Sequence, residues 1–547
     1  MNSQSQLRAL IGSEPVRPVG AARHGLEAPG DHIITLSIRT RRSDLDLDQA
    51  LEHILDRPPI LRRHLSPTRL QLPGPYDESD IDLVSSFFQD AGFEIIAAEP
   101  AAGSFDVTGS FLDLCGLLRV EPFVHQGPYG PVRSHRGPLH LPSELADRVE
   151  AVLGLDDHPV AWPHNAVERT SDHHPVNALD VAELYDFPAG DGSGQKVGIL
   201  ELGGGFHPQD LEHYCSLTGI QTPEVTVREV AGGANRPADH EAMAATLAAY
   251  GMTARHQAPG RSGLTADGGS SVKDVIWTIE TSLDLELVAT FAPKAQIVLY
   301  FAPNNSRGKV QALQTALDDG CTVISVSFGA RERGIARAYV RQLEKLLKRA
   351  AVQGVTVCCS SGDGGYLEYP ASSPFATACG GTSLHDEKGR PRTESVWNEA
   401  VPVPAARLML STGGVSALFD QPPWQQHVDV LSKTGLAGRG VPDVSAKADL
   451  ASGYRVVAGG EVFATGGTSA AAPLWAGLAA RVNQHVGSPE STLGHLPSLL
   501  YSSGWDAATR DITVGRSGSY RACAGWDPCT GLGSPHGTKL LELAMRD

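Results

Sequence analysis

The stretch FATGGTSAAAPLWAG, residues 463–477, contains a serine at the point where a helix is expected to begin. Ser469 follows a Gly-Gly-Thr turn and precedes an alanine-rich segment, in which Pro473 is tolerable because the first-turn amides of a helix have no partner. The helix N-terminus would offer unpaired N–H groups and a positive dipole end beside the hydroxyl. That environment suits a nucleophile attacking a carbonyl, and the same sequence also fits an ordinary N-cap.

Two carboxylates at helical spacing are candidates for the base that such a serine needs. Residues 270–293 predict a helix, because their apolar residues fall on one face: Val272, Val275, Ile276, Ile279, Leu283 and Leu287. Glu280 and Asp284 lie four residues apart on one flank of this helix, where like charges repel. Sharing one proton would relieve the repulsion, as a general base with its orienting partner requires. The alternative is a pair of solvated acids on an exposed face.

A third acid, Asp363, ends a very apolar segment in CCSSGDGG, residues 358–365. A functional group is expected at such a strand end, although an aspartate before glycine is also a common turn residue. The adjacent Cys358 and Cys359 should face opposite sides of the strand.

The elements that must position these residues alternate between strands and helices from about residue 194. Strands are predicted at 195–202, 295–303, 321–329 and 355–365, and a helix with a glycine stop at 341–354. This alternation predicts an α/β fold: a doubly wound parallel sheet with helices on both faces and its chemistry beyond the carboxyl ends of the strands. Residues 231–271 are a Gly-rich excursion that we interpret as an insertion.

The first 160 or so residues predict a separate, smaller α+β unit. Its expected elements are a strand at 32–40, a helix at 79–92, a strand at 93–100 and an amphipathic helix at 145–159. The segment VAWPHNAVERTSDHHPVN, residues 160–177, is polar and punctuated by proline, which is typical of an exposed linker open to proteolysis. Its histidines His164, His173 and His174 could sense pH or have no role at all.

Composition narrows the function classes. Hydrophobic residues make up 41% and charged residues 20% of 547 residues, as in a folded protein of at least two units. A formal charge of −17 disfavours a nucleic-acid partner, since such binding depends on clustered Lys and Arg. No apolar run reaches membrane-spanning or signal-peptide length, so we expect neither a membrane span nor an obvious export signal.

Eight sequence motifs, taken together and in order, resemble the sedolisin family of serine-carboxyl peptidases, most closely its kumamolisin-like members. They are ILELGGGF (199–206), ETSLDLEL (280–287), YFAPN (300–304), SSGDGG (360–365), YPASSPFATACGGT (369–382), GRGVPDVSA (438–446), GGTSAAAPLWAG (466–477) and GWDPCTGLGSPHG (525–537). The resemblance covers nearly the whole chain. It implies a subtilisin-like catalytic domain preceded by a ferredoxin-like prodomain.

The resemblance also implies roles for the candidate residues. Ser469 would be the nucleophile, Glu280 the general base and acid, Asp284 its orienting partner and Asp363 the oxyanion donor, with Glu201 extending the hydrogen-bond network. The expected enzyme is a serine-type endopeptidase active in acid, because a carboxyl with a pKa near 4 can exchange protons at a pH where histidine is already protonated. Its partners would be polypeptide substrates, and we expect a monomer secreted into acidic surroundings.

By the same resemblance the chain is a self-processing zymogen. Residues 1–162 would be a propeptide that acts as chaperone and inhibitor, residues 163–176 a processing linker cut between about 164 and 176, and residues 177–547 the catalytic domain.

The resemblance further implies a calcium ion near the C-terminus. The carboxylates of Asp511 and Asp527 and the backbone carbonyls of Ile512, Cys523 and Gly525 would hold it, an all-oxygen set suited to a hard cation. The family usually has glycine where Cys523 stands, which a carbonyl ligand tolerates, and a local disulfide between Cys523 and Cys529 stays open.

Other departures and alternatives remain. Phe328 and Gly364 stand where the family often has Trp and Ser. An Asp-His-Ser subtilisin is disfavoured because the HGT at 536–538 follows Ser469, and HEAMA at 240–244 lacks the second histidine of a zinc peptidase. A catalytically inactive binding protein on a peptidase fold is the main alternative from another class.

Overall fold

A computed structural model describes residues 6–15, 30–41, 47–66, 78–99, 102–127, 130–164, 166–167, 175–249, 272–385, 393–401, 407–486, 492–502 and 507–546. Within these ranges the chain forms a smaller N-terminal unit and a larger C-terminal unit, each with its own sheet and apolar core. No helix among these described residues is both long enough and apolar enough to cross a membrane.

The C-terminal unit is built on an eight-stranded sheet, which we call the central sheet. Its parallel strands run, in spatial order, Val225–Glu229, Gln296–Phe301, Lys196–Glu201, Val323–Val326, Thr356–Ser360, Thr377–His385 and Val444–Lys447, and Thr393–Val396 pairs antiparallel with Thr377–His385. These strands are rich in Val and Ile, as expected for parallel strands covered on both faces. The predicted α/β class is confirmed.

Helices cover both faces of the central sheet. One face packs against the carboxylate helix (Val272–Phe291) and the serine helix (Thr468–Val486), and the other against Ser306–Asp318 and Arg337–Gln353. Cys358 packs in the apolar core beside the carboxylate and serine helices, and Cys359 packs in the core on the opposite face of the central sheet. The two cysteines thus face opposite sides of the strand, as predicted. Further helices are Ala178–Leu184, Pro208–Thr218, His240–Ala249, Val430–Thr434, Leu496–Leu500 and Gly537–Ala544.

Both units also contain shorter strand pairs. They are Leu7–Ala9 with His140–Pro142, Glu121–Gly127 with Gly130–Arg136, Asn398–Val401 with Arg407–Leu410, Gly414–Val415 with Gly440–Val441, Tyr454–Ala458 with Glu461–Gly466, Thr509–Arg510 with Ser534–Pro535, Arg516–Ser517 with Tyr520–Arg521, and Phe328–Arg331 with Glu368–Tyr369. Of the excursion at 231–271, residues 231–249 are described, and residues 250–271 lie outside the described residues.

The N-terminal unit has a four-stranded antiparallel sheet in the order Glu94–Glu99, Ser104–Ser110, Ile33–Thr40 and Val149–Leu153. The helices Glu78–Asp90 and Phe111–Leu117 pack against it. In chain order these elements run strand, helix, strand, strand, helix, strand, which is the ferredoxin-like arrangement. The helix Leu47–Leu55 and a short helix, Ser143–Ala146, complete the unit.

The predicted amphipathic helix at 145–159 is wrong. Only Ser143–Ala146 is helical, and Val149–Leu153 is a strand that pairs with Ile33–Thr40. A short apolar run is ambiguous between helix and strand, and here Val149 and Val152 fill an otherwise open sheet edge.

Polar contacts fix the N-terminal unit onto the outer helices of the C-terminal unit. Arg307 Nη2 lies 2.6 Å from Asp106 Oδ2, and Lys345 Nζ lies 2.6 Å from Glu150 Oε1. After the strand Val149–Leu153, the described chain continues to residue 164, and Trp162–Pro163 pairs with Phe328–Gly329.

Candidate active site

Ser469 is the second residue of the serine helix and is fully buried. Its Oγ donates to Glu280 Oε1 at 2.5 Å and lies 3.0 Å from the carbonyl oxygen of Ser327. The expectation that Pro473 falls in the first turn is wrong, because the helix begins at Thr468. The amide that Pro473 lacks would have bonded the Ser469 carbonyl, which instead accepts from Ser327 Oγ at 3.3 Å.

The carboxylate helix crosses beneath Ser469 and places both of its predicted acids in the interior. Glu280 and Asp284 are each 0% exposed, so they are not solvated acids on a surface. Nearly every side chain from Val275 to Phe291 is buried, because the helix packs against the serine helix, strands of the central sheet and the strand Tyr454–Ala458. Burial raises the pKa of Asp284 well above its usual range, and the Ser327 hydroxyl opposes this shift.

Glu201 ends the strand Lys196–Glu201 beside these two acids and is fully buried. Burial raises its pKa well above the usual range, and the charges of Asp284 and Glu280 raise it further, while the Thr281 hydroxyl works the other way. Three neighbouring carboxyl groups in one interior cannot all be ionised, so this cluster retains protons.

Asp363 follows the strand Thr356–Ser360 and sits against the start of the serine helix. Its Oδ1 accepts from the Thr468 amide at 2.9 Å and the Thr468 hydroxyl at 2.7 Å. Because Oδ1 is occupied by two donors, a proton on this carboxyl belongs on Oδ2, which lies next to Gly467. Burial raises the pKa of Asp363 to about 7, so the carboxyl is protonated in acid.

Two described parts of the predicted linker, residues 162–164 and 166–167, lie across this site, and the expectation of an exposed linker is wrong at His164, which is buried. Trp162–Pro163 pairs antiparallel with Phe328–Gly329, and Ala166–Val167 pairs antiparallel with Thr465–Gly466. Between them the His164 amide donates to Ser327 O at 3.2 Å, and the Ser469 amide donates to His164 O at 3.1 Å. The chain therefore presents the carbonyl of His164 to the serine that was singled out as a nucleophile.

The side chain of His164 fills a pocket beside this carbonyl. Its Nδ1 lies 2.6 Å from Ser360 Oγ, and its Nε2 lies 2.5 Å from Glu368 Oε2. Burial lowers the pKa of His164, but the charge and the hydrogen bond of the nearby Glu368 carboxylate both raise it, and the net result is a raised pKa. Sequence reasoning missed Glu368, whose only signal was an acid directly before the YPASSP motif. His173 and His174 lie outside the described residues.

The predicted calcium ligands lie in one loop region near the C-terminus. Gly525 N donates to Asp511 Oδ2 at 2.8 Å, and Cys523 N donates to Asp527 Oδ2 at 3.0 Å, so both carboxylates converge on the same turn. Burial raises the pKa of Asp527. Both Cys523 and Cys529 are free thiols. Among the described residues no cluster of three or more His, Cys, Asp or Glu side chains could hold a metal ion.

Comparison with known proteins identifies both the fold class of the C-terminal unit and the family of the chain. The model of the subtilase family matches residues 231–501, which makes the C-terminal unit a peptidase of subtilisin-like fold. Kumamolisin from Bacillus sp. (strain MN-32) is 34% identical over 94% of this chain and 91% of its own length. The chain therefore belongs to the sedolisin family of serine-carboxyl peptidases.

Two further comparisons support the same family. Sedolisin from Pseudomonas sp. (strain 101) is 27% identical over 74% of this chain and 69% of its own length. The solved structure of Pseudomonas sedolisin (serine-carboxyl proteinase), complexed with two molecules of pseudo-iodotyrostatin, matches with a TM-score of 0.54 at 26% identity, covering 69% of this chain and 98% of that one. The protein is thus a hydrolase of peptide bonds.

Proposed function

We propose that this chain is an acid-active endopeptidase made as a zymogen that cuts itself. Ser469 is the nucleophile, Glu280 the general base and acid, Asp284 its orienting partner, Asp363 the oxyanion donor and Glu201 the extension of the network. The observation that carries the proposal is the 3.1 Å hydrogen bond from the Ser469 amide to the carbonyl oxygen of His164, in a strand that lies as a substrate would lie.

The chemistry follows from these positions. Ser469 Oγ passes its proton to Glu280 as it bonds to the carbonyl carbon of His164, and the oxygen of that carbonyl becomes an oxyanion. The Ser469 amide and the protonated Asp363 stabilise the oxyanion. Glu280 then gives its proton to the departing amine as the peptide bond breaks, which leaves an acyl-enzyme on Ser469. In the second half, Glu280 takes a proton from a water molecule as the water oxygen bonds to the acyl carbon. Glu280 then returns the proton to Ser469 Oγ as the ester bond breaks, which frees the new carboxyl terminus.

The proposal requires acid for two reasons. Asp363 donates a hydrogen bond only while protonated, and its pKa of about 7 keeps it protonated in acid. Glu280 must both accept and give a proton, which a carboxyl does most readily near pH 4 to 5.

The zymogen divides as the sequence predicts: a propeptide over residues 1–162, a processing linker over 163–176 and a catalytic domain over 177–547. We infer that the peptide bond after His164, at the start of the predicted window, is the one that is cut, because its carbonyl oxygen accepts from the Ser469 amide. Before this bond is cut, Trp162–Pro163 and Ala166–Val167 pair with strands at the site and exclude other polypeptides, which makes the linker part of the inhibitor.

A calcium ion bound by Asp511, Asp527 and the carbonyls of Ile512, Cys523 and Gly525 completes the proposal. Two carboxylates that converge on one turn, one of them buried with a raised pKa, form a place where a divalent cation would offset desolvation. Bound there, the ion would stabilise the C-terminal loop and take no part in the chemistry.

The test compares Glu280→Gln with a matched control on the same helix. Glu286→Gln changes another fully buried glutamate, whose carboxylate accepts from the Val457 amide at 3.1 Å and takes no part in the proposed chemistry. At pH 4, Glu280→Gln should neither cut itself nor digest denatured protein, whereas Glu286→Gln should do both. Equal loss in both variants contradicts the base assignment. A wild-type chain inert at every acid pH favours a binding protein on a peptidase fold.

A further inference from the structure

A second contact between the two units is formed by residues 57–65, which follow the helix Leu47–Leu55. The exposure of this segment alternates: Arg62 is 2% exposed and His64 8%, whereas Leu61 and Arg63 face solvent. The segment docks on residues 492–498 of the C-terminal unit, and the Leu65 amide donates to Val352 O at 3.0 Å.

Arg62 reaches into the C-terminal unit with its guanidinium. Its Nη1 donates to Leu493 O at 2.7 Å and its Nη2 to Ser498 Oγ at 2.9 Å, while its Nε donates to Arg57 O at 3.0 Å within its own segment. Ser498 Oγ itself donates to His495 O at 2.7 Å, so its lone pairs are directed to accept from Arg62. The pocket therefore matches the planar donor fork of an arginine.

The imidazole of His64 lies between two glycines of the C-terminal unit. A Cβ added at Gly354 would approach the ring within 2.6 Å, and one added at Gly494 within 2.7 Å. Both glycines have positive φ, +79° and +58°, which other residues rarely adopt. His64 Nε2 also lies 3.3 Å from Thr492 O. The slot is thus shaped for a flat ring.

This contact is remote from the catalytic cleft. Gly354 lies two residues before the strand Thr356–Ser360, which runs toward Asp363, so it lies at the opposite edge of the central sheet. The serine helix starts at the cleft and spans 19 residues, which is about 27 Å, before it reaches Val486 near this contact.

We propose that the C-terminal unit carries a second recognition site, remote from the cleft, which binds Arg62 and His64, and that protonation of His64 releases them in acid. The site is formed by Gly354 and residues 492–498, and its ligand is a guanidinium followed two residues later by a neutral imidazole. The inference rests on the proposal that residues 1–162 are a propeptide. Cutting after His164 breaks the covalent link between the propeptide and the catalytic domain, and loss of this second contact then helps to free the propeptide.

The direction of the pH effect follows from the surroundings of His64. Burial, and next the charge of Arg62, lower the pKa of His64 to about 4 from 6.5, although the carbonyls of Thr492 and Val352 favour the protonated ring. The released segment therefore takes up a proton more readily than the docked one. Docking is strongest above pH 6.5 and weakens as the pH falls toward 4, by about 100-fold between pH 7 and pH 4.

The other charged groups around the slot do not reverse this direction. His495, which faces Arg62, stays neutral in this range because burial lowers its pKa to about 3. On the neighbouring helix Arg337–Gln353, Lys348 pairs with Asp48 and Arg349 pairs with Asp318.

The test is hydrogen exchange of the full chain carrying Ser469→Ala, in which the proposed self-cleavage is blocked. The reporter is the Leu65 amide, whose partner Val352 O lies across the contact. After correction for intrinsic rates, its protection should fall about 100-fold between pH 7 and pH 4. Adding His64→Gln should flatten this dependence, whereas adding His53→Gln, an exposed histidine of the same unit, should not.

Arg62 has a matched control in its exposed neighbour. Arg62→Ala should lower the protection of Leu65 about tenfold or more at pH 7, because two charge-assisted hydrogen bonds across the contact are lost, and Arg63→Ala should leave it unchanged.

Equal protection in Arg62→Ala and Arg63→Ala, or a fall with pH that persists in His64→Gln, overturns the proposal. A parallel loss of protection in the central strand Gln296–Phe301 would mean global unfolding and would also count against it. Because self-cleavage plays no part in this readout, a wild-type chain that never cuts itself would refute the proposed function and leave the docking result standing.

Discussion

Replacing Asp363 with asparagine should free the enzyme from one of its two requirements for acid. The Thr468 amide and hydroxyl donate to Oδ1 at 2.9 and 2.7 Å, so they would hold the carbonyl of an asparagine in that place and turn its NH2 to the position of Oδ2. An amide donates a hydrogen bond at any pH, whereas Asp363 stops donating as it ionises above its pKa of about 7.

The magnitude follows from this pKa. Asp363 is about half protonated at pH 7 and about one-tenth protonated at pH 8, so its contribution to wild-type activity falls about tenfold for each further pH unit. The ratio of Asp363→Asn to wild-type activity should be constant below pH 6 and rise tenfold per unit above pH 7, and effects common to both enzymes cancel in this ratio. Asp363→Ala, which has no donor, should lose about 10²- to 10³-fold at pH 5.

The assay is the initial rate of hydrolysis, by the acid-processed enzymes, of a quenched fluorogenic peptide with the sequence of residues 159–168, read from pH 4 to pH 9. A ratio of Asp363→Asn to wild type that does not change over this range would refute the assignment of Asp363 as a protonated donor. An Asp363→Asn enzyme as slow as Asp363→Ala would refute the orientation imposed by Thr468.

Three further predictions concern the buried acids and the ion. Asp284→Asn should lower kcat about 100-fold or more with circular dichroism unchanged, and retained kcat would remove it from the mechanism. Glu344→Gln should stabilise the Ser469→Ala chain in urea unfolding, because burial raises the pKa of Glu344 to about 7. The gain in the free energy of unfolding should be absent at pH 4, grow as the carboxyl ionises in the unfolded chain, and reach about 3 kcal/mol by pH 7. An equal gain at both pH values would contradict this cause. Calcium chelation should lower the Tm of that chain, and not that of the same chain with Asp527→Asn; an unchanged Tm in both would exclude the ion.

The sequence pattern predicts the central sheet well, because strands buried on both faces are marked by continuous apolar runs such as those before Glu201 and Asp363. The spacing places Glu280 and Asp284 on one helix flank, but only the family resemblance joins them to Ser469, whose Oγ lies 2.5 Å from Glu280 Oε1. The pattern does not predict that both acids are fully buried, since the same spacing fits an exposed helix flank. Their burial depends on the packing of the carboxylate helix against the serine helix.

The linker and the N-terminal unit show where such reasoning fails. Residues 160–164 show no regular alternation of apolar and polar side chains, because their extended form is imposed by pairing with Phe328–Gly329. For the same reason Val149–Leu153 becomes a strand although its apolar spacing also fits a helix. Glu368 could not be singled out without knowing that His164 reaches it.

The most direct measurement is incubation of the purified wild-type chain and Ser469→Ala near pH 4, followed by intact mass and N-terminal sequencing. We expect the wild type to lose its N-terminal unit, to begin at Asn165 and to digest denatured protein, while Ser469→Ala stays at full length. A new N-terminus well outside residues 164–176 would contradict the assignment of the linker, and two chains that both stay whole and inert, or are both cut alike, would contradict the claim that Ser469 cuts its own chain.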